Sequence, residues 1–163
     1  MGVEYEFLQR VILAIGIGGL IGLEREYTGK QRTTGIRSFA LIAFLGCISA
    51  LLSQSIIFKL PSELVYLPYI GFVMVVGYSF MVFYFLAEKK DRIGITTTLA
   101  LPLTYLFGMM VGFGYFIESI IAALLVTLLL YSRRYSHVFV EKLSEEEMAK
   151  AMQLALEDAG IAP

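Results

Sequence analysis

One short segment of the chain gathers the side chains best suited to chemistry. Glu24, Arg25 and Glu26 follow one another, and Arg37 comes shortly after them. Two carboxylates two residues apart can offer oxygen ligands to hydrated Mg²⁺, which usually takes only one or two carboxylates from a protein. At the edge of a low-dielectric region the same charges can pair as a structural salt-bridge network. Both interpretations stay open: an ion or partner site with Glu24 and Glu26 as candidate metal ligands, or a purely structural network.

Other kinds of chemistry have no support in the sequence. No nucleophile–base pairing, zinc-protease motif or phosphate-binding loop occurs. Cys47 is the only cysteine, which excludes an internal disulfide and a cysteine-based metal cage. The single histidine, His137, has no ligand partner at metal-binding spacing. We therefore expect no enzyme activity and, without a basic helix face, no nucleic-acid partner.

Five apolar runs must position the charged segment. They are Phe7–Leu23, Ser38–Phe58, Val65–Ala87, Ile95–Val111 and Tyr115–Ser132. Each has about 17–23 residues, and a bilayer-spanning helix needs roughly 17–25. The chain is 58% hydrophobic with a mean hydropathy of +0.75, well above a soluble domain. The runs predict an all-α bundle of five transmembrane helices in the lipid bilayer.

The basic residues predict how this bundle is oriented. Eleven of the thirteen Lys and Arg follow the first, third and fifth runs, whereas Arg10 and Lys59 lie on the other side. Short loops rich in Lys and Arg stay in the cytoplasm. The pattern therefore predicts a plasma-membrane protein with its N-terminus outside and its C-terminus in the cytoplasm.

The C-terminal tail differs in composition from the runs before it. Ser144 and Glu147 form a capping box, and small and apolar residues then recur at helical spacing. We predict a five-helix transmembrane domain over residues 1–135 and a cytoplasmic tail over 136–163. Within the tail, a short amphipathic helix should cover about residues 145–159.

Spacing along the runs also predicts contacts between helices. Gly18 and Gly22, like Gly108 and Gly112, have the GxxxG spacing that lets membrane helices approach closely. We expect these two glycine faces to pack helices together and to join two copies of the chain as a homodimer.

Two further contacts are expected near helix ends and helix breaks. Pro102 lies inside the fourth run, so it should free the carbonyl near Thr98 from helical hydrogen bonding. Arg10 and Glu118 both lie near the outer ends of their runs and are expected to form an ion pair.

Three motifs occur in order: Gly18–Glu26 reads GGLIGLERE, Gly35–Ser38 reads GIRS and Gly94–Thr97 reads GITT. They resemble the G-L-x-R-E, G-(L/I)-R-(S/T) and G-(L/I)-T-T patterns in the N-terminal membrane domain of the MgtC/SapB family. The resemblance covers about residues 10–132 and implies the same five-span fold. Because the third motif would begin the fourth helix at the depth of Glu24, Thr96 and Thr97 join the candidate site.

The departures from the family pattern resemble its archaeal branch. The third run lacks the glycine-rich segment of some members, and Thr98 stands where many relatives carry Glu. In that branch a second membrane domain follows, so the chain is expected to be a fragment or a member that ends early.

The resemblance implies a role in magnesium homeostasis and leaves two functions open. One is a regulatory module that binds another membrane protein, a second copy or the missing downstream domain. The other is a Mg²⁺ transporter or channel subunit.

Overall fold

A computed structural model describes residues 2–28, 35–54, 62–88 and 95–142, and these residues are helical almost throughout. The elements are α1 Gly2–Thr28, α2 Ile36–Ser53, a 3-10 helix Ser62–Tyr66, α3 Leu67–Glu88, α4 Ile95–Phe113 and α5 Phe116–Lys142. The all-α prediction is confirmed for this part of the chain. The predicted tail helix over residues 145–159 lies outside the described residues.

The helices differ in their capacity to cross a membrane. Three segments are long and apolar enough: Tyr5–Tyr27, Ile36–Ser53 and Leu64–Phe85. Thr98–Phe113 and Phe116–Ser132 are apolar but shorter. A span needs about 20 residues, so length and composition establish three candidates, and five spans with a fixed orientation stay a prediction.

The chain divides into two compact units, Met1–Leu130 and Tyr131–Pro163. In the first unit α2 is central and packs against both α1 and α4. The largest fully buried side chains of this core come mainly from these three helices: Ile21, Phe39, Leu51, Leu101, Tyr105 and Val111.

Glycines bring α1 into backbone contact with α2. A Cβ at Gly18 would lie 2.5 Å from the carbonyl oxygen of Phe39, and one at Gly22 would lie 2.7 Å from the Cα of Ile36. Both distances are shorter than real Cβ contacts, so only glycine fits at these two positions. The first GxxxG face is therefore an interface within one chain.

The second GxxxG face also packs against α2. A Cβ at Gly112 would lie 2.6 Å from the Cys47 carbonyl oxygen, and one at Gly108 would overlap the Ala43 carbonyl. Since α2 covers both faces, the expectation that they join two copies is wrong. Whether the chain forms a homodimer by another surface stays a prediction.

Two hydroxyl–carbonyl hydrogen bonds attach α3 to α4. The Ser79 hydroxyl donates to the Thr98 carbonyl, and the Tyr105 hydroxyl donates to the Pro68 carbonyl at 3.0 Å. Pro102 lies in α4, four residues after Thr98, and has no N–H to give that carbonyl. The freed carbonyl predicted from the sequence is therefore confirmed, and α3 supplies the replacement donor.

Candidate functional site

The predicted site lies where α1 ends and α2 begins, which we call the Glu24 end of the bundle. Glu24 and Arg25 are 5% and 8% exposed, and Arg25 Nε donates to Glu24 Oε2 at 2.6 Å. Such a short bond between ionised groups in a buried setting is strong. The pair thus places two opposite charges inside the last turns of α1.

Glu26 has a different environment from Glu24. Its side chain is exposed, and its Oε2 accepts a hydrogen bond from the Ile36 N–H at 3.3 Å. Gly35, the N-cap of α2, has no capping side chain, and a Cβ there would lie 2.8 Å from Glu26 Oε2. Glu26 therefore supplies the negative charge that the N-terminus of a helix favours.

The remaining predicted residues do not gather around Glu24. Arg37 is exposed and makes no ion pair with any residue that the structure describes, so among the described residues the expected network is reduced to the pair of Glu24 and Arg25. Thr96 is partly buried in the first turn of α4. The side chain of Thr97 lies outside the described residues.

The two carboxylates proposed as Mg²⁺ ligands do not converge. Residues two apart on a helix lie about 200° apart around its axis, and here Glu24 is buried whereas Glu26 is exposed. Within the described ranges no three His, Cys, Asp or Glu side chains are placed to hold a metal ion. A Mg²⁺ site shared by Glu24 and Glu26 stays a prediction.

A second polar cluster, at what we call the Arg10 end, was not predicted as a site. Arg10 is 9% exposed, its Nη1 donates to the Gly112 carbonyl at 2.6 Å, and its Nη2 pairs with Glu6. Its guanidinium also lies 5.6 Å from the centre of the Phe116 ring. Gln54, the C-cap residue of α2, donates to the same carbonyl at 2.9 Å.

The expected Arg10–Glu118 ion pair is wrong, because Arg10 pairs with Glu6 and Glu118 is exposed. In the sequence, the feature that indicates the observed contact of Arg10 is the pair of glycines at the end of α4, Gly112 and Gly114. Gly114 has a positive φ of 96°, and the chain turns there into α5. Ending a helix leaves carbonyls without helical partners, and Arg10 and Gln54 bind one of them.

One protein family matches most of the helical part of this chain, including the three motifs. The model of the MgtC family matches residues 11–139, which begin within α1, include α2, α3 and α4, and end within α5. No match was found among curated proteins or among solved structures. On the extent of the family match, the chain belongs to the MgtC family.

Proposed function

We propose that the chain is a non-enzymatic, multipass module of the plasma membrane that binds another membrane protein at the Glu24 end. Membership of the MgtC family supports a membrane protein linked to Mg²⁺ homeostasis. The proposal adds that the module acts through contact and does not conduct the ion itself. Its alternative is a Mg²⁺ transporter or channel subunit.

The close approach of α1, α2 and α4 is the observation that favours a binding module. A Cβ added at Gly18 of α1 would lie 2.5 Å from a carbonyl oxygen of α2. A Cβ added at Gly112 of α4 would lie 2.6 Å from another carbonyl oxygen of α2, so both helices are in backbone contact with α2. Mg²⁺ dehydrates reluctantly and usually keeps several waters. Helices in backbone contact leave no space between them for an ion of that size.

The exposed charges at the Glu24 end are the groups offered to a partner. Glu26 and Arg37 are both exposed, whereas Glu24 and Arg25 are buried. Exposed groups of opposite sign can make ion pairs and hydrogen bonds with a complementary surface. We assign the buried pair to positioning α1 and the exposed pair to recognition.

The orientation follows from the charged connections. The segments after the first, third and fifth apolar runs hold eleven of thirteen Lys and Arg, which supports five spans with the Glu24 end and the C-terminus in the cytoplasm. On this proposal the partner binds at the inner leaflet.

Flux measurement separates the binding module from the transporter. Purified protein in liposomes that contain a Mg²⁺-sensitive dye should give no uptake above empty liposomes. Uptake that Glu24→Gln abolishes would support the transporter and overturn the proposal.

Recognition at the Glu24 end is tested in cells that lack their own family member and are starved of Mg²⁺. The double variant Glu26→Gln and Arg37→Gln should lose the growth that the wild-type chain restores. Glu118→Gln is a matched control because Glu118 is exposed at the Arg10 end. Equal loss in the control, or full growth with the double variant, would contradict recognition at this end.

A further inference from the structure

One carboxylate of α5 lies on the exposed side of the helix, among aliphatic side chains. Glu118 is exposed and makes no ion pair with any residue that the structure describes. The residues that follow it on the same face of the helix, Ile121 and Leu125, are each more than half exposed. A side chain on such a face meets lipid or water, and the depth of Glu118 in the bundle decides which of the two surrounds it.

Contacts between helices give the level of Glu118 in the bundle. The Ser119 hydroxyl donates to the Phe107 carbonyl at 2.9 Å, so the first turn of α5 lies beside residues 107 and 108 of α4. Gly108 is in backbone contact with Ala43 of α2. Glu118 therefore lies at about the level of Ala43, well inside the bundle.

The packing of α1 on α2 converts this level into a distance. The two helices run antiparallel, and Gly18 lies beside Ala40, so Ala43 lies beside the α1 residue three positions before Gly18. Glu26, which is exposed where α1 ends, lies eleven residues beyond that position, about 17 Å at 1.5 Å per residue. The hydrocarbon core of a bilayer is about 30 Å thick. A flat layer of that thickness cannot leave both Glu118 and Glu26 in water.

The lengths of the apolar helices agree with a thin layer beside α5. Between Glu118 and Arg133 the sequence has fourteen uncharged residues, about 21 Å of helix. The apolar part of α4, Thr98–Phe113, is about 24 Å long. By contrast, the apolar segment Leu64–Phe85, which holds most of α3, has 22 residues and is about 33 Å long, enough for a full layer.

We propose that the module thins the bilayer on its α5 side, so that water and lipid headgroups reach Glu118 at one surface and Glu26 at the other. Bilayers thin locally around charged residues at membrane depth and around apolar helices that are too short to span them. The partner that fits the exposed face of α5 is therefore a phospholipid with short acyl chains. Beside α3 the layer keeps its full thickness.

The inference goes beyond the proposed function, because it concerns lipid beside α5 and not the protein partner at the Glu24 end. It rests on that proposal in one respect, namely that α5 is one of five spans. Lipid preference is measured on the purified chain without any protein partner, so the result does not depend on recognition at the Glu24 end.

Quenching of tryptophan by brominated lipids tests the lipid preference of each helix. The chain has no tryptophan, so Ile121→Trp reports on lipid beside α5 and Val73→Trp, at a position that is also more than half exposed, reports on lipid beside α3. In liposomes of mixed phosphatidylcholines, myristoleoyl lipid should bind beside Ile121→Trp roughly threefold more strongly than the longer erucoyl lipid. Val73→Trp should show no preference for the short chains.

Two results of this measurement would overturn the proposal, and they differ in what else they remove. The same chain-length preference at both positions would exclude thinning confined to the α5 side and leave the proposed function intact. No quenching at all of Ile121→Trp would mean that α5 does not cross the bilayer, and it would also remove the five spans.

The contribution of Glu118 is tested with two substitutions of similar size in the Ile121→Trp background. Glu118→Leu removes the polar group and should abolish the preference for short chains, whereas Glu118→Gln keeps a group that needs water and should retain it. An unchanged preference in Glu118→Leu would contradict Glu118 as the boundary of the thin layer.

Discussion

α2 and α3 are neighbouring apolar helices that are held in the bundle by different means. In the apolar segment Ile36–Ser53, which is α2, 39% of the residues are buried. In the apolar segment Leu64–Phe85, which holds most of α3, the buried share is 17%. Backbone contacts at Gly18, Gly46 and Gly108 hold α2, whereas two hydroxyl–carbonyl bonds attach α3.

This difference separates the helix that fixes the fold from a helix that is attached at its side. Close backbone contact gains dispersion energy over many atom pairs and tolerates no added atom, so α2 fixes the fold. Two hydrogen bonds and a few side-chain contacts leave most of α3 exposed and available to another surface. The helix that contributes least to the core is therefore the one whose exposed positions should tolerate substitution best.

Gly108→Leu should have the largest effect on stability. A side chain at this position would overlap the backbone of Ala43, which cannot move without displacing α2. We expect the free energy of unfolding, measured by SDS titration in mixed micelles, to fall by more than about 3 kcal/mol. A loss below about 1 kcal/mol would show that α2 and α4 are not in backbone contact.

Arg10→Leu should have the second largest effect, because Arg10 and Gln54 together fasten α1 and α2 to the end of α4. The substitution removes the bonds to Gly112 and Glu6, and charge-assisted bonds contribute about 1.5–3 kcal/mol each. We expect a net loss of about 2 kcal/mol in the same titration, since leucine restores some apolar contact. Arg37→Leu, at an exposed position, should change stability by less than about 0.5 kcal/mol.

The sequence predicts the helices of this molecule better than it predicts their contacts. Apolar length indicates each helix, and Pro102 correctly indicates the freed Thr98 carbonyl, because both signals are local. The GxxxG spacing shows that a helix can approach another closely, yet it does not say whether the neighbour belongs to the same chain.

The polar contacts were harder to predict because their partners are backbone groups or distant residues. Arg10 binds the carbonyl of a residue 102 positions away, a partner that no side-chain pattern reveals. At the Glu24 end, Arg25 pairs with the carboxylate of its neighbour Glu24, a pairing that the list of four charged residues does not by itself select. The sequence therefore indicates which charged residues lie at the Glu24 end, but only the fold shows which of them pair with one another.

Ser79→Ala should have a smaller effect, which depends on Pro102. Removing the Ser79 hydroxyl leaves the Thr98 carbonyl without its donor, which should cost about 1–2 kcal/mol. In a Pro102→Ala background the restored N–H of residue 102 can bind that carbonyl, so Ser79→Ala should then cost less than about 0.5 kcal/mol. An equal cost in both backgrounds would mean that Ser79 does not replace the missing helical bond.

Gly77→Leu should have the smallest effect on stability, although it is the same substitution as Gly108→Leu. The position is open, and leucine favours the helix over glycine, so the free energy of unfolding should stay constant or rise by up to about 1 kcal/mol. A variant that loses stability as Gly108→Leu does would place Gly77 in the core and remove the contrast between α2 and α3.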